Sequence, residues 1–186
     1  MMLLPFRRRP GRDPTIQALY GMIVAQARSP GFYRSYGVPD TVSARIDMIM
    51  LHLVLVLRRL RAGPAGGDPA GQPLFDLFCQ DMDDNFREMG MGDLKVPKEM
   101  RLIAEAFYGR AKVYDGALDG GDMAALAAAL ERNVFGGPSP LGAARLAAYM
   151  QEAARGLSGI AGGALDRAGP LFPEPEAIAA QAAVSG

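Results

Sequence analysis

One histidine, one cysteine and a run of carboxylates are the groups in this 186-residue chain with an obvious claim to chemistry. His52 lies seven residues from both Arg45 and Arg59, so a helix would set all three on one stripe. Two guanidinium groups oppose a bound cation, and an isolated histidine makes neither a metal centre nor a triad. His52 is therefore expected to be a satisfied histidine inside a packed helix. Cys79 stands alone in an apolar stretch, which excludes an intramolecular disulfide and a cysteine-based zinc site and points to an inert buried thiol. Asp81, Asp83, Asp84 and Glu88 supply oxygen, but no other segment offers converging oxygens or the Glu-x-x-His pairs of a di-iron bundle. They are expected to form an acidic face that is either solvated or docks a basic partner. A Gly-rich phosphate loop, HExxH and GxSxG are all missing from the sequence. Neither a catalytic residue nor a cofactor or metal is expected.

A second group of residues points to binding. Lys98, Arg101, Glu105, Tyr108, Lys112 and Asp115 recur at helical spacing on the side opposite an apolar stripe, with Arg101 and Glu105 placed for an i,i+4 pair. Gly109 and Gly116 fall on that same outer side. A glycine inside an exposed helix costs about 1 kcal/mol relative to alanine. Two on one face imply a closely approaching backbone, either a partner anchored on Tyr108 or a neighbouring helix of this chain.

The elements that must position these residues are helical throughout. Asp13 and Pro14 open a first helix with Ile16, Leu19, Tyr20, Ile23 and Ala27 on one stripe, ended by Ser29-Pro30-Gly31. The aromatic, Gly- and Pro-punctuated stretch 32–39 reads as a connector packed on the core. Asp40 or Thr41 caps a second helix to about Arg61. It is apolar nearly all round from Met48 to Leu57, so it is expected at the centre. After a Gly/Pro loop over 62–73, a third helix spans Leu74 to Met89, with Phe75, Phe78, Met82, Phe86 and Met89 on one face and a stop at Gly90. Pro97 opens a fourth, to about Leu118, whose core face is Met100, Ile103, Phe107, Ala111, Tyr114 and Leu118. An Ala-rich fifth runs from Asp122 to Phe135, and a sixth from Ser139-Pro140 to Arg155 or Gly156. The reading is an all-α, single-domain bundle of about six helices around a central apolar one. Residues 1–12 are a flexible basic terminus, 13–156 the helical domain, and 157–186 a short turn followed by a Pro/Ala tail that is mobile or laid on the surface.

The totals agree with one domain: about half the residues are apolar, enough for a core. The zero net charge hides an asymmetry. Residues 1–62 carry ten Arg and three Asp, a net +7, and the remainder carries −7. The basic part either meets an anionic surface or complements the acidic part of its own chain. The opening Met1-Met2-Leu3-Leu4-Pro5-Phe6-Arg7-Arg8-Arg9 lacks the charge order of a secretory signal, and the longest apolar run falls well short of the ~20 residues that span a bilayer.

Four stretches resemble the ubiquinol–cytochrome c chaperone family. They are Gly37-Val38-Pro39-Asp40-Thr41, Ile46-Asp47-Met48-Ile49-Met50-Leu51-His52, the block from Asp81 to Leu94 (DMDDNFREMGMGDL), and Ala104-Glu105-Ala106-Phe107-Tyr108-Gly109-Arg110. The resemblance covers about residues 14 to 150. It implies a non-catalytic helical chaperone that binds cytochrome b during biogenesis of ubiquinol–cytochrome c reductase. The Ala/Gly/Arg/Pro-rich chain fits a bacterial member, in the cytoplasm next to the inner membrane. The partner-binding residues expected on this reading are Asp81, Asp84, Glu88, Asp93, Lys95, Arg101, Tyr108, Gly109, Arg110 and Lys112. Of these, Tyr108, Arg110 and Lys112, with the Gly90 to Lys95 turn, would hold the client segment. Two alternatives stand beside it. One is an adaptor for a membrane surface or the ribosome that works through the basic N-terminal segment, and the other is a lipid- or quinone-pathway enzyme enclosing an apolar ligand. No sequence-specific nucleic acid partner is expected.

Overall fold

The computed structural model describes residues 13–63, 67–167 and 169–184. The basic segment 1–12 lies outside them. Among the described residues there is no strand, and the fold is all-α.

Each of the six expected helices is present. Helix α1 (Pro14–Ala27) starts where Asp13 Oδ1 accepts from the Thr15 N–H at 2.9 Å, which satisfies one of the orphan donors of the first turn. Between the end of α1 and the next long helix, Pro30–Ser35 forms a six-residue helix, α2. The connector reading is corrected here: Pro30 sits at the first turn and Phe32 is fully buried, so the short segment is fixed by its aromatic anchor and not by a polar cap. Thr41, not Asp40, caps α3 (Val42–Arg61), through a hydrogen bond from the Ala44 N–H to Thr41 Oγ1.

Helix α3 is the central element, buried without interruption from Asp47 to Leu57. It contacts α1, α4 (Gly71–Glu88), α5 (Val96–Gly120) and α7 (Pro140–Ser158). A helix apolar on every side is stable in water only when enclosed in this way. Helix α4 ends at Met89, where Gly90 follows at φ +81°, a conformation L side chains rarely adopt. The Ala-rich segment divides: α6 (Met123–Leu130), capped by Asp122, runs into one π turn over Glu131–Phe135 before Gly136 breaks it at φ +66°. The Glu131 carboxylate accepts from the Ser139 N–H at 2.6 Å and carries the chain into α7.

Residues 157–186, read as a turn and a tail, contain two further packed elements. A 3-10 segment spans Gly162–Arg167, and α8 (Pro175–Val184) packs on α2 and α7. Leu171 and Phe172 are buried at its approach. Two long-range bonds hold this stretch: the Gln26 amide donates to Pro173 O at 3.0 Å, and the Tyr36 hydroxyl donates to Pro175 O at 2.7 Å. Both acceptors are backbone carbonyls, so no side-chain pattern in the segment announces them.

Candidate docking face

The outer side of α5 is the face the spacing points to. Lys98, Arg101, Glu105 and Lys112 are exposed, and Arg101 Nε lies 3.3 Å from Glu105 Oε1 in the expected i,i+4 pair. Tyr108 is 60% exposed, yet its ring packs 5.5 Å from Phe75 and 5.6 Å from Phe107. The ring is thus exposed on one side and held from below, which limits its rotamer freedom. Leu102 and Val113 are exposed on the same helix. A Cβ built at Gly109 or Gly116 meets nothing within 4 Å. No neighbouring helix among the described residues accounts for those glycines.

At the N-terminal end of α5, the Gly90–Lys95 turn projects Leu94, which is 96% exposed. Arg87 braces this turn by pairing with Asp83 at 2.6 Å and also with Asp93. Asp93 and Lys95 are both exposed, so the Arg87–Asp93 pair is a solvated one. Asp84 and Glu88 are exposed on α4.

Two of the expected binding residues are engaged within the fold. Asp81 accepts the Tyr20 hydroxyl at 2.7 Å and the Asn85 amide at 3.0 Å, which ties α4 to α1. Arg110 turns inward to Asp47 of α3, with Nη2 2.7 Å from Oδ1 and side chains 18% and 6% exposed. Its Nε is buried without a partner. The helical repeat puts position 110 at the boundary between the two faces of α5, and a carboxylate across the interface decides the matter. Asp47 carried a readable signal: a charge directly bordering the apolar run of the central helix calls for a partner across the interface. Burial pushes its carboxyl up to about 6 despite the Arg110 guanidinium. Asp115 also belongs to the fold, pairing with Arg61 at 2.5 Å and Arg58 at 3.6 Å.

His52 is fully buried, as a packed histidine should be. Its Nδ1 faces Met48 O at 2.7 Å, an acceptor only, so Nδ1 carries the proton. Nε2 is then the acceptor for the Tyr149 hydroxyl at 2.9 Å, which in turn accepts from Gln26 at 2.9 Å. Burial pushes the imidazole down to about 4. A neutral histidine with both nitrogens committed cannot act as a base. Burial also raises the Cys79 thiol, which disfavours the reactive thiolate. Among the described residues, no group of three or more His, Cys, Asp or Glu side chains is placed to hold a metal ion, and no helix is long and apolar enough to cross a membrane.

The family model described as ubiquinol–cytochrome c chaperone matches residues 34–172, from α2 through the buried Phe172. No curated protein matches the chain. Among solved structures, the chain is similar to the crystal structure of the Cbp3 homolog from Brucella abortus, with 37% identity and a TM-score of 0.76, over 87% of this chain and 90% of that one. With most of its length inside the family model and a relative alike in both sequence and fold, the chain belongs to the ubiquinol–cytochrome c chaperone family.

Proposed function

We propose that this chain is an assembly chaperone for the cytochrome bc complex that holds a segment of cytochrome b on the outer face of α5 until partner subunits arrive, acting by binding and not by catalysis. Family membership supports the chaperone role, and the open face around Tyr108, Gly109 and Gly116 supports the location. That last observation carries the reading. Two interior glycines facing empty space lower helix stability, and a backbone that packs directly against them is what makes their presence worthwhile. Lys112 and Arg101 border the contact, and the braced Leu94 turn extends it beyond the end of α5. The proposed setting is the cytoplasm beside the inner membrane, where a hydrophobic client enters the bilayer.

The test is in-cell photo-crosslinking from a probe replacing Tyr108, followed by identification of the captured protein. Cytochrome b is the expected product. A functional variant that captures only ribosomal protein would replace this reading with that of an adaptor. Charge reversal through Arg101→Glu with Lys112→Glu is expected to weaken capture about tenfold while leaving helicity and melting unchanged, because both side chains are exposed.

A further inference from the structure

The N-terminal half of α3 and the C-terminal end of α4 leave a cleft of about 190 Å³ between them. Its floor is apolar, with Ile49, Met82 and Phe86 buried there. Its lips are apolar as well, yet Val42 and Met89 are 59% and 56% exposed. Single exposed apolar side chains need no explanation, but two that flank an apolar slot make one continuous hydrophobic surface.

Charge narrows what fits this surface. Arg28, which caps α1, and Arg45 of α3 line the cleft. Arg28 makes no ion pair with a described residue. Arg45 pairs with Asp40 at 2.7 Å, but both side chains are solvated, so the contact is weak and exchangeable. Asp81 is the one carboxylate in the lining, and its two oxygens already accept from Tyr20 and Asn85. The cleft thus offers a hydrophobic slot with cationic lips and no competing free anion in its lining.

We propose that this cleft docks an apolar peptide segment carrying a carboxylate next to one bulky apolar side chain. The slot is short and open, with one apolar side chain on each lip, which suits one large aliphatic or aromatic anchor. The anchor enters between Met82 and Phe86, and the carboxylate meets Arg28 and draws Arg45 from Asp40. Unbranched thioethers at Met82 and Met89 adapt to different anchors, so a range of hydrophobic side chains is accepted. The chain's own Met1–Phe6 stretch fits poorly, because Arg7, Arg8 and Arg9 follow it and would crowd more cations against Arg28 and Arg45.

Only the origin of the segment, a client held for assembly, rests on the proposed function. Docking itself is decided with purified full-length protein. Two short fluorescein-labelled peptides of Ala, Gln and Leu, one with a central Phe-Glu and the other with Phe-Lys, are titrated by anisotropy. The Glu peptide is expected to bind at least about tenfold tighter. Val42→Asp places a charge on the lip at the first residue of α3, where a carboxylate suits the helix N-terminus, so the fold is kept. This variant and Arg28→Gln are each expected to weaken the Glu peptide about tenfold with melting unchanged. Equal affinities for the two peptides, or an unaffected Val42→Asp protein, would overturn the proposal. So would a wild-type dimer that Val42→Asp dissociates, since a second copy would then be the occupant. Capture of cytochrome b at Tyr108 with no peptide binding in the cleft removes this inference and leaves the chaperone reading. Peptide binding without that capture does the reverse.

Discussion

Replacing Asp47 with asparagine is expected to stabilise the protein at neutral pH and to make it more sensitive to acid. Asp47 is buried between α3 and α5 with one oxygen 2.7 Å from Arg110 Nη2. Even so, burial raises its carboxyl from 3.8 to about 6, so withdrawal from water outweighs the attraction of the guanidinium. Each pH unit of displacement corresponds to about 1.4 kcal/mol, which puts the ionised form about 3 kcal/mol above its level in solvent. Between those two values the folded chain holds a proton that the unfolded chain has released. The stabilisation from this group is therefore full below about pH 4 and gone above about pH 6.

His52 runs the other way. Burial lowers it from 6.5 to about 4, so the unfolded chain takes up a proton that the folded chain refuses. Its contribution is full above about pH 6.5 and lost, again by about 3 kcal/mol, as pH falls toward 4. In the wild-type protein the two nearly offset each other across that window. The substituted amide of Asp47→Asn keeps an oxygen to accept from Arg110 but cannot titrate. The variant should therefore exceed the wild type by about 3 kcal/mol at pH 7, match it near pH 4, and lose stability on acidification as His52 alone dictates. Urea unfolding followed by far-ultraviolet circular dichroism, with both proteins at several pH values between about 4 and 7, measures the difference. If the asparagine variant is the less stable one at pH 7, and the gap widens as pH rises, the ion pair is a net stabiliser and the reasoning fails.

Three further outcomes follow from the packing. Tyr149→Phe removes the hydroxyl that donates to His52 and accepts from Gln26, leaving the buried His52 Nε2 without its donor while the half-buried Gln26 keeps Pro173 O; urea unfolding should show a loss of about 1–3 kcal/mol. Gly142→Ala drives a Cβ into the backbone oxygen of Tyr36 and should cost more than about 2 kcal/mol, whereas Gly109→Ala, which faces open space, should gain about 1 kcal/mol; their melting temperatures are expected to move in opposite directions. Phe172→Ala removes a buried ring 4.9 Å from His52 and should cost about 3 kcal/mol, with amide exchange rising first in α8.

What the sequence made legible was whatever repeats within one helix. The stripes of α1, α4 and α5, the uninterrupted burial of α3 and the caps at Asp13 and Asp122 all follow from local spacing, as does the Arg101–Glu105 pair. The face of α5 around Tyr108 was legible for the same reason. Helix α8 was not. Its Ala-rich ten residues carry no apolar period, and its approach is fixed by Gln26 and Tyr36, reaching backbone carbonyls 147 and 139 residues away. The bonds that Asp81 and Arg110 make within the fold were not legible either, because spacing assigns a residue to a face but does not show which groups stand across the interface.

The charge asymmetry illustrates the same limit and shows how to work around it. Arg58 and Arg61 of the basic part pair with Asp115 and Asp119 of the acidic part, and Arg34 pairs with Glu176. Internal complementarity therefore accounts for Arg34, Arg58 and Arg61, and it does so at the ends of helices where two segments meet. A charge whose partner lies across an interface is invisible to a periodicity argument, but its burial is not. Asp47 borders the apolar run of α3, is buried with it, and so had to find a cation. Arg28 follows the last turn of α1, is lined up on an apolar cleft and pairs with no described residue. Arg28 is exposed, so burial demands no partner for it; its place on the lip of an apolar cleft instead offers a cation to a carboxylate that enters beside an apolar anchor.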